Sequence, residues 1–274
     1  FLALMRGDRS HACEMATRVY EQCARELDVT RMPGHDVYWL TATLGEAALI
    51  RGAPREAVQW YTRATAIAGR RYGNVASTRR QACELVAQLK LDWSQFAGCF
   101  PLPEVVVFSA AIAGACMTSS EASEPLQSAL AQAMRAQLVQ DRPVFGFSRL
   151  RNWLELVFLE TVLQGGGDVA VLWEGEPDSD GGRVGEFAER AQQVLGKCLE
   201  IHPLTARAGA PAEPASDYAR KVLIGLGTMQ ARQLGTVPVV LTVPHEERAE
   251  QAPRTDATPA GILGARPRVM ALLF

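Results

Sequence analysis

A chain of 274 residues that is 48% hydrophobic and 21% charged is long enough for two ordinary domains or one large one, and apolar enough to build a core. A formal net charge of −2 excludes any global attraction to nucleic acid or to an anionic membrane, and no apolar run reaches the roughly 18 residues of a membrane span. Cys13, Cys23, Cys83, Cys99, Cys116 and Cys198 form no CxxC pair, so they read as reduced thiols of a cytoplasmic protein rather than a disulfide framework or a zinc site. FLALMRG does not read as a signal peptide, and none is expected from this stretch. Phe1 is not a start methionine and FLALMRG reads as the end of a helix, so an upstream segment is expected.

Phe1–Arg6 reads as that helix end and Gly7-Asp8 as its turn. Ser10–Leu27 gives a second helix with Ala12, Ala16 and Val19 on one face. A loop follows over Asp28–Asp36, marked by the turn at Pro33-Gly34. Tyr38–Ala64 then reads as two helices joined at Arg51–Pro54. Leu44, Gly45 and Ala48 share a face of the first, while Ala57, Tyr61 and Ala64 fall at i, i+4, i+7 on the second. The alanines let two backbones approach and Tyr61 fills the space between them. This is the pattern of a tetratricopeptide repeat, set against a plain helical hairpin. Gly7 and Ala12 recur as Gly52 and Ala57, an offset of 45 residues against about 34 in a standard repeat. A third helix is expected from an N-cap at Asn74, with Ala82, Leu85, Val86 and Leu89 apolar, closing the stack.

Repeats of this kind dock proteins. The candidate docking residues are Tyr38, Trp39, Trp60, Arg63, Arg79 and Arg80. Arg63, Arg70, Arg71, Arg79 and Arg80 gather in one stretch. They make either a patch for an acidic partner or a solvated face with favourable charge at a helix C-terminus. His11 and His35 have no companion at ligand spacing and read as surface or loop residues.

At Phe100–Pro103 the pattern changes. Apolar runs at 105–108, 144–148, 168–173, 198–202, 237–243 and 268–274 alternate with helical stretches at 124–140, 150–163, 184–195 and 217–234. Continuously apolar strands separated by helices predict a mostly parallel sheet with helices on both faces. The expected division is 1–99 for the helical repeats and 100–274 for the α/β part, an α plus α/β class. Ligands of such sheets bind outside the carboxyl ends of the strands. There the chain has Ser109-Ala110-Ala111, small enough for close approach to a phosphate but equally suited to a tight turn; it has neither GxGxxG nor a Walker lysine. Gly146, Ser148, Arg149 and Arg151 follow the second strand, where Ser148 could cap the next helix and an arginine could meet an anion. Leu154, Val157, Phe158 and Leu163 are its buried side. Glu155 and Glu160 are five apart and therefore not a same-face acid/base couple. Asp178-Ser179-Asp180-Gly181-Gly182 reads as a solvated turn more readily than a metal loop, and 206–215 and 245–267 read as loose surface segments. His202 and His245 each end a strand without an evident partner. No nucleophilic triad can be assembled, so no catalytic residue, metal or resident cofactor is expected.

The stretches YWLTATLGEAALIRG, AVQWYTRA and ASTRRQA, followed by VVVFSA, GFSRLRNWLELVFLE and SDYARKVLIGLGTMQARQL, resemble a bacterial family that joins tetratricopeptide repeats to a Rossmann-like sensor domain. Its repeat part is similar to the TRAF-binding region of the apoptosis signal-regulating kinases. The resemblance implies a role in prokaryotic immune or conflict signalling and a nucleotide-type ligand, with Ser109, Ala110, Gly146, Ser148, Arg149 and Glu155 as the residues around it. This chain departs from the family at each ligand loop. Ser109-Ala110-Ala111 replaces Thr-Gly-His, and Trp153-Leu154-Glu155 replaces a Gly-Ser-Asp or Gly-Ala-Asp. HEERAEQAPRTDATPAGI stands where a Gly-rich stretch is expected. Trp153 would fill space beside a phosphate or ribose, so the expected pocket is degenerate or altered.

Three functions follow as expectations. The first is a non-catalytic signalling adaptor or sensor whose repeats dock a protein partner or a fused effector. The second is a nucleotide or nucleotide-sugar hydrolase with Glu155 as its sole carboxylate. The third is a pure repeat scaffold for assembly. The loss of donors and carboxylates in the strand-end loops counts against the second, and ligand-dependent behaviour would separate the first, which is the reading taken, from the third.

Overall fold

The computed structural model describes residues 2–29, 34–110, 128, 131–132, 143–173, 185–204, 212–243 and 268–271, with the side chains of 29, 34–36, 212–216, 242–243 and 268–271 excepted. The expected turn at Pro33, most of the first crossover helix at 124–140, the acidic loop at 178–182, the 245–267 segment with His245, Ala111, Cys116 and most of 206–215 lie outside these residues. The chain divides into two compact units, Phe1–Leu102 and Pro103–Phe274, with the expected boundary a few residues earlier.

The first unit is helical: α1 (Leu2–Met5), α2 (Arg9–Val29), α3 (Gly34–Ile50), α4 (Pro54–Ala68), α5 (Tyr72–Gln88) and α6 (Ser94–Ala97). Pro54 opens α4, where its missing N–H costs nothing. Ala57, Tyr61, Ala64 and Ala68 are its buried stripe. The α3–α4 contact depends on Gly45, because a Cβ there would stand 2.8 Å from the Tyr61 ring. Behind that ring Phe100 lies at 5.0 Å between centroids, and Trp93 stacks on Phe100 at 5.9 Å. Burying such rings is the largest apolar contribution the unit has.

Two of its corners share one geometry. After α1, Gly7 at φ 83° lets Asp8 N–H donate to Ala3 O; after α3, Gly52 at φ 81° lets Ala53 N–H donate to Ala48 O. Each is the left-handed helix stop that glycine adopts without strain. Each is followed by a buried alanine, Ala12 and Ala57. After α5 the same stop is made by Lys90 at φ 56°.

Two expectations are corrected here. α3 begins at Gly34, so the loop is shorter than Asp28–Asp36. Asn74 does not cap α5: Arg71 holds the N-cap position without a side-chain cap bond, and the Asn74 Nδ2 is buried without a partner. Apolar Val75 and Ala76 at the helix start are buried, and that packing extends the helix one turn past the polar signal.

The second unit runs β1 (Glu104–Ala110), β2 (Val144–Arg149), α7 (Trp153–Gln164), β3 (Asp168–Trp173), α8 (Glu186–Leu195), β4 (Glu200–Pro203), α9 (Ala212–Leu234), β5 (Val239–Val243) and β6 (Arg268–Ala271). The strands form one parallel sheet in the order β4-β3-β2-β1-β5-β6. Helices cover both faces, as the alternation along β1 and β2 demonstrates. Phe158 of α7 stacks on Phe108 at 5.0 Å and would meet a Cβ on Gly146, whereas a Cβ on Gly227 of α9 would stand 2.2 Å from Val107. Phe108 and Val107 point to opposite faces. The mixed helical and α/β class is thereby established.

Candidate functional site: the carboxyl edge of the parallel sheet

From β1 the chain steps outward through β2 and β3 to β4, then returns with β5 on the other side of β1. The strand order therefore changes sense between β1 and β5, and it is at the carboxyl ends beside such a switch point that parallel sheets take ligands, in a crevice. Ser109 stands there, paired in register with Thr242, and Ala110 beside it pairs with Val243. The Ser109 side chain is 2% exposed and its Oγ has no hydrogen-bond partner among the described residues. A buried hydroxyl left unpaired costs roughly 1–3 kcal/mol, so this position asks for an acceptor or donor.

Ser148 and Arg149 end β2. Ser148 Oγ donates to the Phe108 carbonyl at 3.0 Å, and with no exposed surface it ties β2 to β1 rather than facing a ligand. Arg149 is 4% exposed, and its Nε donates to Glu155 Oε1 at 3.1 Å. The second Glu155 oxygen accepts the Arg151 backbone N–H at 3.1 Å. Glu155 N–H in turn donates to Asn152 Oδ1 at 2.9 Å, making Asn152 the N-cap of α7. The cap expected at Ser148 is thus corrected to Asn152. The pattern Asn-Trp-Leu-Glu is a capping signal that was legible in the sequence. Glu155, fully buried, spends both oxygens on the helix start and on Arg149. Gly146 is spaced for Phe158 and Val162, each 3.1 Å from a would-be Cβ, so it serves packing under α7 and not ligand approach.

Trp153 does not fill the crevice as expected. Its ring meets Phe187 edge-on at 5.2 Å with Arg190 above it at 5.1 Å, placing it between α7 and α8. Glu160, the other acid of α7, holds that same Arg190 at 2.6 and 2.9 Å. The two glutamates thus serve separate ion pairs.

In the helical unit the docking candidates fall into local pairs. Tyr38 is 1% exposed, with its hydroxyl 2.6 Å from Thr78 Oγ1, so a partner at the surface does not meet it. Trp39 beside it is 39% exposed. Arg63, exposed on α4, lies 5.6 Å over the Trp60 ring. Arg79 lies 5.8 Å over Trp93, and Arg80 is exposed on α5. Trp60 Nε1 donates to Tyr20 Oη at 3.3 Å, that hydroxyl donates to Glu56, and Arg51 covers the Tyr20 ring at 4.4 Å. This Tyr20 network joins residues too distant in sequence to be foreseen. His202, expected alone, has Glu200 Oε2 at 3.0 Å from Nε2.

Among the described residues no group of three or more metal-ligating side chains converges, and no helix is long and apolar enough to cross a membrane. No protein-family model, no curated protein and no solved structure matches the chain.

Proposed function

We propose that the protein is a non-catalytic adaptor or sensor in bacterial conflict signalling. In this reading tetratricopeptide-like repeats dock a protein partner or effector, and a Rossmann-like α/β unit takes up a nucleotide-type ligand. The observation that carries the sensing half is the Ser109 hydroxyl, buried at the carboxyl end of β1 and unpaired among the described residues. The repeat reading draws support from the matched corners at Gly7 and Gly52 and from the small-residue contact of Gly45 with Tyr61. The hydrolase alternative loses its one carboxylate, because Glu155 is buried and engaged by Arg149 and the Arg151 N–H.

The test is a thermal-shift screen of the whole chain against mononucleotides, dinucleotides and cyclic oligonucleotides, repeated with Ser109→Val. A ligand at about a hundred times its Kd adds nearly 3 kcal/mol and raises the melting temperature by several degrees. The shift should shrink in Ser109→Val while the unliganded melting temperature holds or rises. If no compound of these classes shifts the native protein at millimolar concentration, the sensing half of the proposal fails.

A further inference from the structure

Away from Ser109, the second unit has a cleft between the outer strand β4 and the last turns of α9. Its volume is about 540 Å³, within the range of small-molecule sites. The floor is Phe147 at mid-sheet. Leu226 and Met229 on α9 form one wall, and Met229 is 70% exposed, a large apolar side chain left at the rim of a concave surface. Glu200 and His202 alternate with Ile201 along β4 and so turn to the same face, where they line the opposite wall. β4 is the edge strand, three places from β1 in the sheet, which sets this cleft to one side of Ser109.

Glu200 Oε2 lies 3.0 Å from His202 Nε2 on the β4 wall. The side chain of Arg232, which also lines the cleft, has no ion pair or hydrogen bond among the described residues. It lies in the final turn of α9, where the helix dipole favours a cation, yet an ion brought from solution could share it. An apolar wall beside an unpaired guanidinium is complementary to a ligand with an apolar body and a single negative head.

We infer that this cleft is a binding site for an amphipathic monoanion, a carboxylate or sulfonate on a hydrocarbon or aromatic body. The body lies along Leu226 and Met229, and the head pairs with Arg232. The site stands independently of nucleotide sensing at Ser109 and adds a second ligand class to the α/β unit.

The test uses 1-anilinonaphthalene-8-sulfonate as a fluorescent probe of the whole chain. One saturable site is expected, with decanoate displacing the probe and decanol failing to. Arg232→Gln should weaken probe binding at least roughly tenfold, the loss of one charge-assisted contact, without moving the melting temperature. Met229→Glu, at an exposed position, should do the same by repelling the anion. The inference is overturned if both variants bind the probe like the native protein, or if decanol displaces it as well as decanoate. Absence of saturable binding below about 1 mM overturns it equally.

Discussion

Glu46 provides a pH-dependent test of how the helical unit is packed. Its carboxyl lies on α3, where Gln81 Nε2 of α5 donates to Oε2 at 3.1 Å. Burial pushes its pKa from 4.5 up to about 7, since ionising there forfeits hydration that one amide cannot replace. The Tyr61 hydroxyl senses the same carboxylate, whose charge adds to burial in raising the phenol's pKa. For an acid whose folded pKa exceeds its unfolded one, the folded state holds more protons in between, so stability falls as pH rises across that window. The loss begins near pH 4.5 and is complete a little above pH 7. Its full size is about 3 kcal/mol, from the free energy separating the two ionisations. Glu46→Gln keeps the shape and a hydrogen-bonding group but cannot ionise. The variant should therefore match the native protein near pH 4.5 and exceed it by up to about 3 kcal/mol near pH 8. Urea unfolding of both proteins at the two pH values, followed by helical circular dichroism, measures this. A stability difference that is the same at both pH values would refute the argument that burial governs this carboxyl.

Two other perturbations test the cores of the two units. Tyr61→Ala should cost about 3 kcal/mol or more by opening a cavity against Gly45 and Phe100, whereas Tyr61→Phe should be neutral or gain about 1 kcal/mol because the buried hydroxyl has no partner. Thermal melts of both variants decide it, and a near-neutral Tyr61→Ala would contradict the packing described. Glu155→Ala should destabilise the α/β unit by about 3–5 kcal/mol, because it strands the buried Arg149 and removes the acceptor for Arg151 N–H. The double variant Arg149→Met with Glu155→Leu should recover most of that loss, and equal damage in the single and double variants would show that the ion pair is not the cause.

Much of the fold was legible because it follows from local periodicity. Val105–Phe108, Val144–Ser148 and Asp168–Trp173 are too continuously apolar for anything but strands buried on both faces, and those strands are present. The joint at Arg51–Pro54 is visible because glycine admits the left-handed helix stop and proline fixes φ at a helix start, each by its own backbone chemistry. Helix starts were less legible. α5 starts before Asn74 and α9 before Asp217, because packing and continued hydrogen bonding outweigh a single polar signal.

The candidate site was legible only as a neighbourhood. Ser109, Ser148 and Arg149 are at strand ends and Glu155 is in the first turn of the helix after β2, yet the sequence does not say which of them is occupied. Ser148 turns to the Phe108 carbonyl, Arg149 and Glu155 turn to one another, and Trp153 turns to Phe187. Ser109 alone of these four polar residues keeps an unpaired side-chain atom among the described residues. The same limit hid the cleft beside β4, whose walls come from strands and a helix separated in the chain.

What the chain determines by itself is where helices, strands and sharp turns fall, because those depend on side-chain period and backbone freedom over a few residues. Which polar groups satisfy each other, and which remain open to a ligand, is decided by the tertiary structure. Hydrogen bonds and ion pairs require atoms within about 3 Å, and only the packed sheet and its helices bring distant residues that close.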